Sequence, residues 1–170
     1  GVSDGDTKPV IYGFANNTAL FYGMVHGTIS NITLDFDGAA GQLGFMPCTY
    51  SGSVPDSYYS ITIDGVDTTG YVNLTEADQS NYSPFIYAAN KGDLVMKDCV
   101  NAAAITGDIY GAIFHGYYAL NTTGSYTFEN CRNEGIVTMR NAAMFFGNPS
   151  TMNAKLESGL EVNITNCVNN

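Results

Sequence analysis

Three copies of one short frame constrain this chain more than any other feature. VMKDCVN begins at Val95, YTFENCRN at Tyr126 and NITNCVN at Asn163. In each, an Asp or Asn precedes a Cys, and an Asn stands two places after it: Asp98-Cys99-Asn101, Asn130-Cys131-Asn133 and Asn166-Cys167-Asn169. The cysteines lie 32 and 36 residues apart. Self-similarity at such a period is the mark of stacked repeats, in which no repeat buries its apolar face alone.

A second frame alternates with the first. It reads TALFYG from Thr18, SPFIYA from Ser83, GAIFHG from Gly111 and AAMFFG from Ala142, with GQLGFM from Gly41 as a degraded copy. Aligned, the last three full copies put Phe85, Ile113 and Met144 in one column. Ile86, Phe114 and Phe145 fall in the next, then Tyr87, His115 and Phe146. Earlier versions of the Cys frame are NITLDFDG from Asn31 and ITIDGVD from Ile61. Matching Asn31 to Asn163 places Asp35 at the Cys position and Asp37 at the Asn position. The blocks are short, rich in Ile, Val, Thr, Phe and Tyr, and alternate apolar with polar residues, which predicts strands. Stretches such as MPCTYSGSVPDSYYS and NLTEADQSNYS are expected to be loops, the latter with one helical turn at most.

Stacking such frames turns like residues into ladders. Cys99, Cys131 and Cys167 are expected to form a thiol column, and Asn101, Asn133 and Asn169 an amide column in which each side chain bonds the next. The chain thus reads as one all-β domain over residues 1–170, a parallel β-solenoid of about five coils.

Composition narrows the partners. Charged residues are 13%, about half the usual share. Net charge is −10, which speaks against nucleic acid and against anionic membrane surfaces. No run of apolar residues reaches the length of a membrane span. Glycans, proteins and calcium remain compatible. Six N-x-S/T sequons, at Asn16, Asn31, Asn73, Asn81, Asn121 and Asn163, are what an Asn- and Thr-rich β protein produces by composition.

The pattern apolar-x-N-C-x-N-x-G-x-apolar, a spacer, then G-G/A-apolar-apolar-G resembles the repeats of bacterial surface proteins of the GLUG and related β-helix type. Residues 126–147 carry it best, and the stretch from Leu94 to Gly116 next. The resemblance implies a right-handed parallel β-helix on a secreted or cell-surface protein, serving adhesion or scaffolding rather than catalysis. The frame stops at NCVNN without a capping segment. The expectation is a fragment of a longer surface protein, its end covered by the rest of that chain or by another subunit.

Each chemistry-bearing group has a plain structural account beside the functional one. The three frame cysteines lack C-x-x-C spacing and read as buried, reduced thiols; Cys48 stands outside the frame. Asp35 and Asp37, by period-two spacing, are candidates for calcium or an acid pair, although replacement within the ladder explains them as well. His115 belongs to an aromatic column, and His26 to an exposed turn. The tyrosines of the inserts, Tyr58, Tyr59, Tyr82, Tyr117 and Tyr118, are not explained by the ladder and are the candidates for contact with a glycan or a host or cell-surface protein. No cofactor is expected beyond calcium.

Two functions compete. One is a non-catalytic extracellular β-helix module. The other is a β-helix carbohydrate-active enzyme, a polysaccharide lyase or glycoside hydrolase, which needs paired acids, or an acid and a cation, in a groove. A third class, ice- or mineral-binding, needs evenly registered Thr rows, which Thr33, Thr62, Thr127 and Thr165 do not form.

Overall fold

The computed structural model describes residues 7–16, 18–40, 43–47, 59–73, 83–86, 92–107, 110–114, 124–139, 141–145 and 159–170. These residues form strands and turns and no helix, so the chain is all-β. Strands are numbered in chain order.

Among the described residues every strand pairing is parallel, and successive repeats supply successive strands of each sheet. The largest continuous face is a five-stranded sheet. It runs β3 (His26–Ser30), β6 (Tyr59–Asp64), β9 (Gly92–Lys97), β13 (Gly124–Glu129) and β17 (Leu160–Thr165). A second sheet of six short strands follows the same order: β1 (Val10–Ile11), β4 (Thr33–Asp35), β7 (Asp67–Thr69), β10 (Val100–Asn101), β14 (Arg132–Asn133) and β18 (Val168–Asn169). A third holds β8 (Tyr71–Asn73), β11 (Ala104–Thr106) and β15 (Val137–Thr138). The second sequence frame makes two pairs, β2 (Phe21–Met24) with β5 (Phe45–Pro47) and β12 (Tyr110–Ala112) with β16 (Asn141–Ala143). Strand β1 has no counterpart among the predicted blocks.

Alternation along the strands decides what is buried. On the five-stranded sheet, Ile29, Ile63, Met96, Phe128 and Ile164 stand in one inward column, and Ile61, Leu94, Tyr126 and Val162 in another. Ile63, Met96 and Phe128 are fully enclosed. From the opposite side the second frame adds its aromatics. Phe114 and Phe145 stack with ring centroids 5.7 Å apart, as the column alignment predicts, and Phe145 reaches Phe128 at 4.4 Å. Gly92 leaves room for a larger neighbour. A Cβ there would lie 2.5 Å from Tyr59 Cγ, so the Tyr59 ring occupies the place of the missing side chain.

The five- and six-stranded sheets meet at a corner built on the residue that precedes each frame Cys. Asn31, Asp98, Asn130 and Asn166 have φ of 54, 51, 54 and 53°, and Gly65 has 62°. These are left-handed conformations, tolerated by Gly and by Asn or Asp and costly for other residues. The corner amides also bond across layers, Asp98 N to Glu129 O at 3.0 Å and Asn130 N to Thr165 O at 3.0 Å. The Asp or Asn before each Cys is therefore a turn requirement.

The corner corrects the register of the first repeat. Pairing runs Ser30, Asp64, Lys97, Glu129, Thr165 before the corner and Thr33, Asp67, Val100, Arg132, Val168 after it. Asn31 thus matches Asn166, not Asn163. Ile32 and Val66 hold the Cys position, and Leu34 and Thr68 hold the Asn position. Asp35 and Asp37 hold neither. The sequence match went wrong because NIT recurs in both places while the αL requirement, which sets the register, is carried by one Asn.

Candidate interaction surface

The frame residues build the interior of the corner. Thr68 Oγ1 donates to Asn101 Oδ1 at 2.6 Å. Asn101 Nδ2 donates to the Ala103 carbonyl at 3.1 Å and to Asn133 Oδ1 at 2.7 Å. Asn133 Nδ2 repeats this with the Gly135 carbonyl at 3.0 Å and Asn169 Oδ1 at 2.8 Å. The amide column is thus present, and it has a direction: Asn101 and Asn133 each donate to the next layer. Asn101 and Asn133 are buried, so these bonds replace lost hydration. Gly135 is part of the device, since a Cβ there would strike the Ala103 carbonyl that Asn101 uses.

Beside the amides run the thiols. Cys99, Cys131 and Cys167 are free, the first two buried. Cys99 Sγ lies 3.2 Å from Lys97 O, and Cys131 Sγ lies 3.6 Å from Met96 O. The adjacent Cys99 thiol, together with burial, pushes the Cys131 thiol far above its ordinary range. Burial also raises Cys167. Neutral, desolvated thiols are poor nucleophiles and poor metal ligands, and these act as small apolar side chains.

Outside, the five-stranded sheet presents three columns. The first is His26, Ser60, Asp93, Ser125 and Glu161; the second Thr28, Thr62, Val95, Thr127 and Asn163; the third Ser30, Asp64, Lys97, Glu129 and Thr165. Neighbours in a column are ~4.8 Å apart, and columns are ~6.6 Å apart. His26 opens β3 rather than sitting in a turn. The second column shows a Thr register that the sequence did not reveal. It joins Thr28, Thr62 and Thr127, whereas Thr33 lies in another sheet and Thr165 in another column. Val95 interrupts it, and acids flank it on both sides, unlike an ice-binding Thr array.

Several carboxylates of this surface, of the corner and of the adjoining six-stranded sheet are engaged by neighbouring strands or side chains. Asp93 Oδ1 accepts from Ser125 N at 3.0 Å and Ser125 Oγ at 2.6 Å. Lys97 Nζ lies 3.6 Å from Glu129 Oε2, and Lys8 Nζ lies 2.7 Å from Asp67 Oδ2. Asn130 Nδ2 donates to Asp98 Oδ1 at 2.9 Å. Around that last pair, Asp98, Val100, Asn130, Arg132 and Asn166 line a shallow groove of about 230 Å³ on the outer side of the corner. Arg132 there pairs with Glu134 at 3.4 Å.

The predicted site residues separate. Tyr59 is fully buried and its hydroxyl donates to Tyr126 Oη at 3.0 Å, so it is a core residue and not a loop contact. Tyr58, Tyr82, Tyr117 and Tyr118 lie outside the described residues, as do Cys48, His115, Tyr87, Phe146, Asn81 and Asn121. Asp35 ends β4, Phe36 turns inward to full burial, and Asp37 takes φ 42°. The strand stops between the two acids, and Asp37 lies in the turn that follows it, with Phe36 buried between them. Among the described residues, no three His, Cys, Asp or Glu side chains gather closely enough to hold a metal ion. Of the sequons, Asn163 is exposed on the outer sheet face, while Asn16 Oδ1 accepts from Ala40 N at 2.9 Å. Sequence reading missed the corner column and the outer groove. The signal was the restriction of one position to Asn, Asp or Gly.

Comparison with protein-family models, with curated proteins and with solved structures finds no match for this chain.

Proposed function

We propose that this chain is a right-handed parallel β-helix of about five coils, resembling GLUG-type repeats, and that it is a non-catalytic extracellular module for adhesion or scaffolding on a bacterial cell surface. The parallel sheets filled by successive repeats support the coil reading, and the handedness follows the general rule for parallel crossovers. The observation that carries the functional part is the outer face of the five-stranded sheet. Its polar side chains stand in register over five strands, and Asp93 and Glu129 are tied to cross-strand partners instead of converging on a common point. Such a face offers a flat, repeating set of hydroxyls, amides and carboxylates, suited to lateral contact with a glycan or a protein of similar breadth.

A glycan array probed with the 170-residue protein, run beside a depolymerisation assay on the same polysaccharides, tests this. Binding that survives without product release, and that a Thr62→Lys, Thr127→Lys double variant abolishes at unchanged melting temperature, is the expected result. New reducing ends or unsaturated uronate products would replace this reading with the lyase or hydrolase one.

A further inference from the structure

Among the described residues, the large apolar side chains left exposed gather at the two ends of the stack, with one exception. Tyr71 is 42% exposed although it has bonded chain on both sides. Gly38 N donates to Tyr71 O at 2.7 Å on one side, and β11 pairs with β8 on the other. Its exposure therefore belongs to the wall of the stack and does not depend on where the layers begin or end.

The register clears the space around this ring. Gly38 and Ala104 stand opposite Tyr71, and neither carries a side chain beyond a methyl. A Cβ at Gly38 would lie 3.9 Å from Tyr71 Cδ1, so that flank of the ring meets bare backbone. The Tyr71 hydroxyl shares a hydrogen bond with Thr106 Oγ1 at 2.8 Å. Thr106 lies two residues beyond Ala104 on β11, so the ring leans along the sheet instead of standing off it. Beside it, on the same face by the two-residue period, runs a polar row of Asn73, Thr106 and Thr138. The two rows hold no charged side chain.

We propose that Tyr71 is the stacking platform of a binding site for a neutral hexopyranose. The axial C–H groups of such a sugar, made slightly positive by the neighbouring oxygens, suit the negative face of an aromatic ring. Its equatorial hydroxyls reach the polar row, ~6.6 Å along the strands. The anchored hydroxyl fixes the platform before binding, so little side-chain freedom is lost. Scale selects the ligand. The two rows over three strands cover on the order of 150 Å², against about 800 Å² per partner in a stable protein interface. The absence of charge leaves a uronate or an ammonium group without a partner.

The inference goes beyond the adhesion reading, since it concerns another sheet, and the two tests fail separately. A single stacked sugar binds in the millimolar range, too weakly to survive the washing of an array. The probe is methyl β-D-glucopyranoside, titrated into the 170-residue protein and followed by NMR. Saturable binding at roughly 1–10 mM is expected, with shifts at the Tyr71 ring and the Thr106 amide. Saturation transfer should be strongest at the axial protons of the sugar. Tyr71→Ala should weaken binding about tenfold or more with the melting temperature unchanged, and Tyr71→Phe, which keeps the ring but frees its tip, about threefold. The Thr62→Lys, Thr127→Lys double variant should bind as the parent does. Undiminished binding by Tyr71→Ala, shifts confined to the five-stranded sheet, no saturation by ~50 mM, or tighter binding of methyl β-D-glucuronide would each overturn the proposal.

Discussion

Phe128 and Ile164 hold the same position on adjacent strands, yet one is fully enclosed and the other half exposed. The contrast extends along the layer. Cys131 and Asn133 are buried, whereas Cys167 is partly covered and Asn169 is exposed. The sequence frame is the same in both layers. What differs is cover: each layer is enclosed by the one that follows, and β17 and β18 lack that neighbour among the described residues. A repeat frame therefore specifies where a side chain points, while the next layer decides how much its burial is worth.

The largest effect should come from the apolar column. Phe128→Ala removes an enclosed ring that also packs on Phe145, and should cost about 4 kcal/mol. Ile164→Ala, at the equivalent site, should cost about 1 kcal/mol, since half its surface is already wet. Urea unfolding of both variants measures this. Equal losses would mean that Ile164 is covered in solution, and the contrast between layers would disappear.

The amide column makes the same comparison in polar terms. Asn101→Leu strands the Thr68 hydroxyl, the Ala103 carbonyl and Asn133 Oδ1 in a buried setting, at about 3 kcal/mol in sum. Asn169→Leu withdraws only the acceptor for Asn133 Nδ2, next to solvent, at under about 1 kcal/mol. Thermal melts resolve the difference, since about 2 kcal/mol shifts a domain of this size by several degrees.

These pairs also show what the sequence made legible. The Cys-x-Asn frame named its own ladders, because in parallel stacking the same frame in successive layers meets itself, the spacings of 32 and 36 residues differing only in the segments between frames. Strand type and inward alternation were equally plain in Tyr126-Thr127-Phe128-Glu129. The first two repeats were not. There the ladder positions are Ile32 and Leu34, then Val66 and Thr68, which share apolarity or size with Cys and Asn but no letter. The αL corner was visible as Asn, Asp or Gly at one position, yet Gly65 conceals it from a search for identity. Tyr59 was misplaced for a related reason. Its burial is created by the absence of a side chain at Gly92, a strand away, and nothing local in DSYYS signals that.

The thiols carry the comparison into pH. Below about pH 9, the ordinary thiol value, Cys131 is protonated both folded and unfolded and contributes no pH dependence. Above it, the unfolded thiol ionises while the folded one, held neutral by Cys99 and burial, does not. Unfolding then releases a proton, so stability falls as pH rises, by up to about 1.4 kcal/mol per unit for this thiol. Cys131→Ala should flatten the stability profile above pH 9, and Cys167→Ala should flatten it less. In the native protein at pH 8, Cys167 should be alkylated before Cys131. The reverse order would place the opening elsewhere than at β17 and β18.

The smallest effect is expected on the outer face, and it bounds the whole comparison. Lys97 stands in register between Asp64 and Glu129 and pairs with the latter at 3.6 Å, with both side chains more than 40% exposed. Exposed pairs of this kind contribute little, so Lys97→Ala should change stability by about 0.5 kcal/mol or less. Its removal leaves two acids flanking an uncharged site and makes the face more negative. The charge of the outer face can therefore change while the fold does not, which is what the proposed contact role of that face requires. A loss above about 1.5 kcal/mol in Lys97→Ala would instead mean that the outward columns help hold the layers together. The division between a structural interior and a free outer face would then have to be redrawn through the sheet itself.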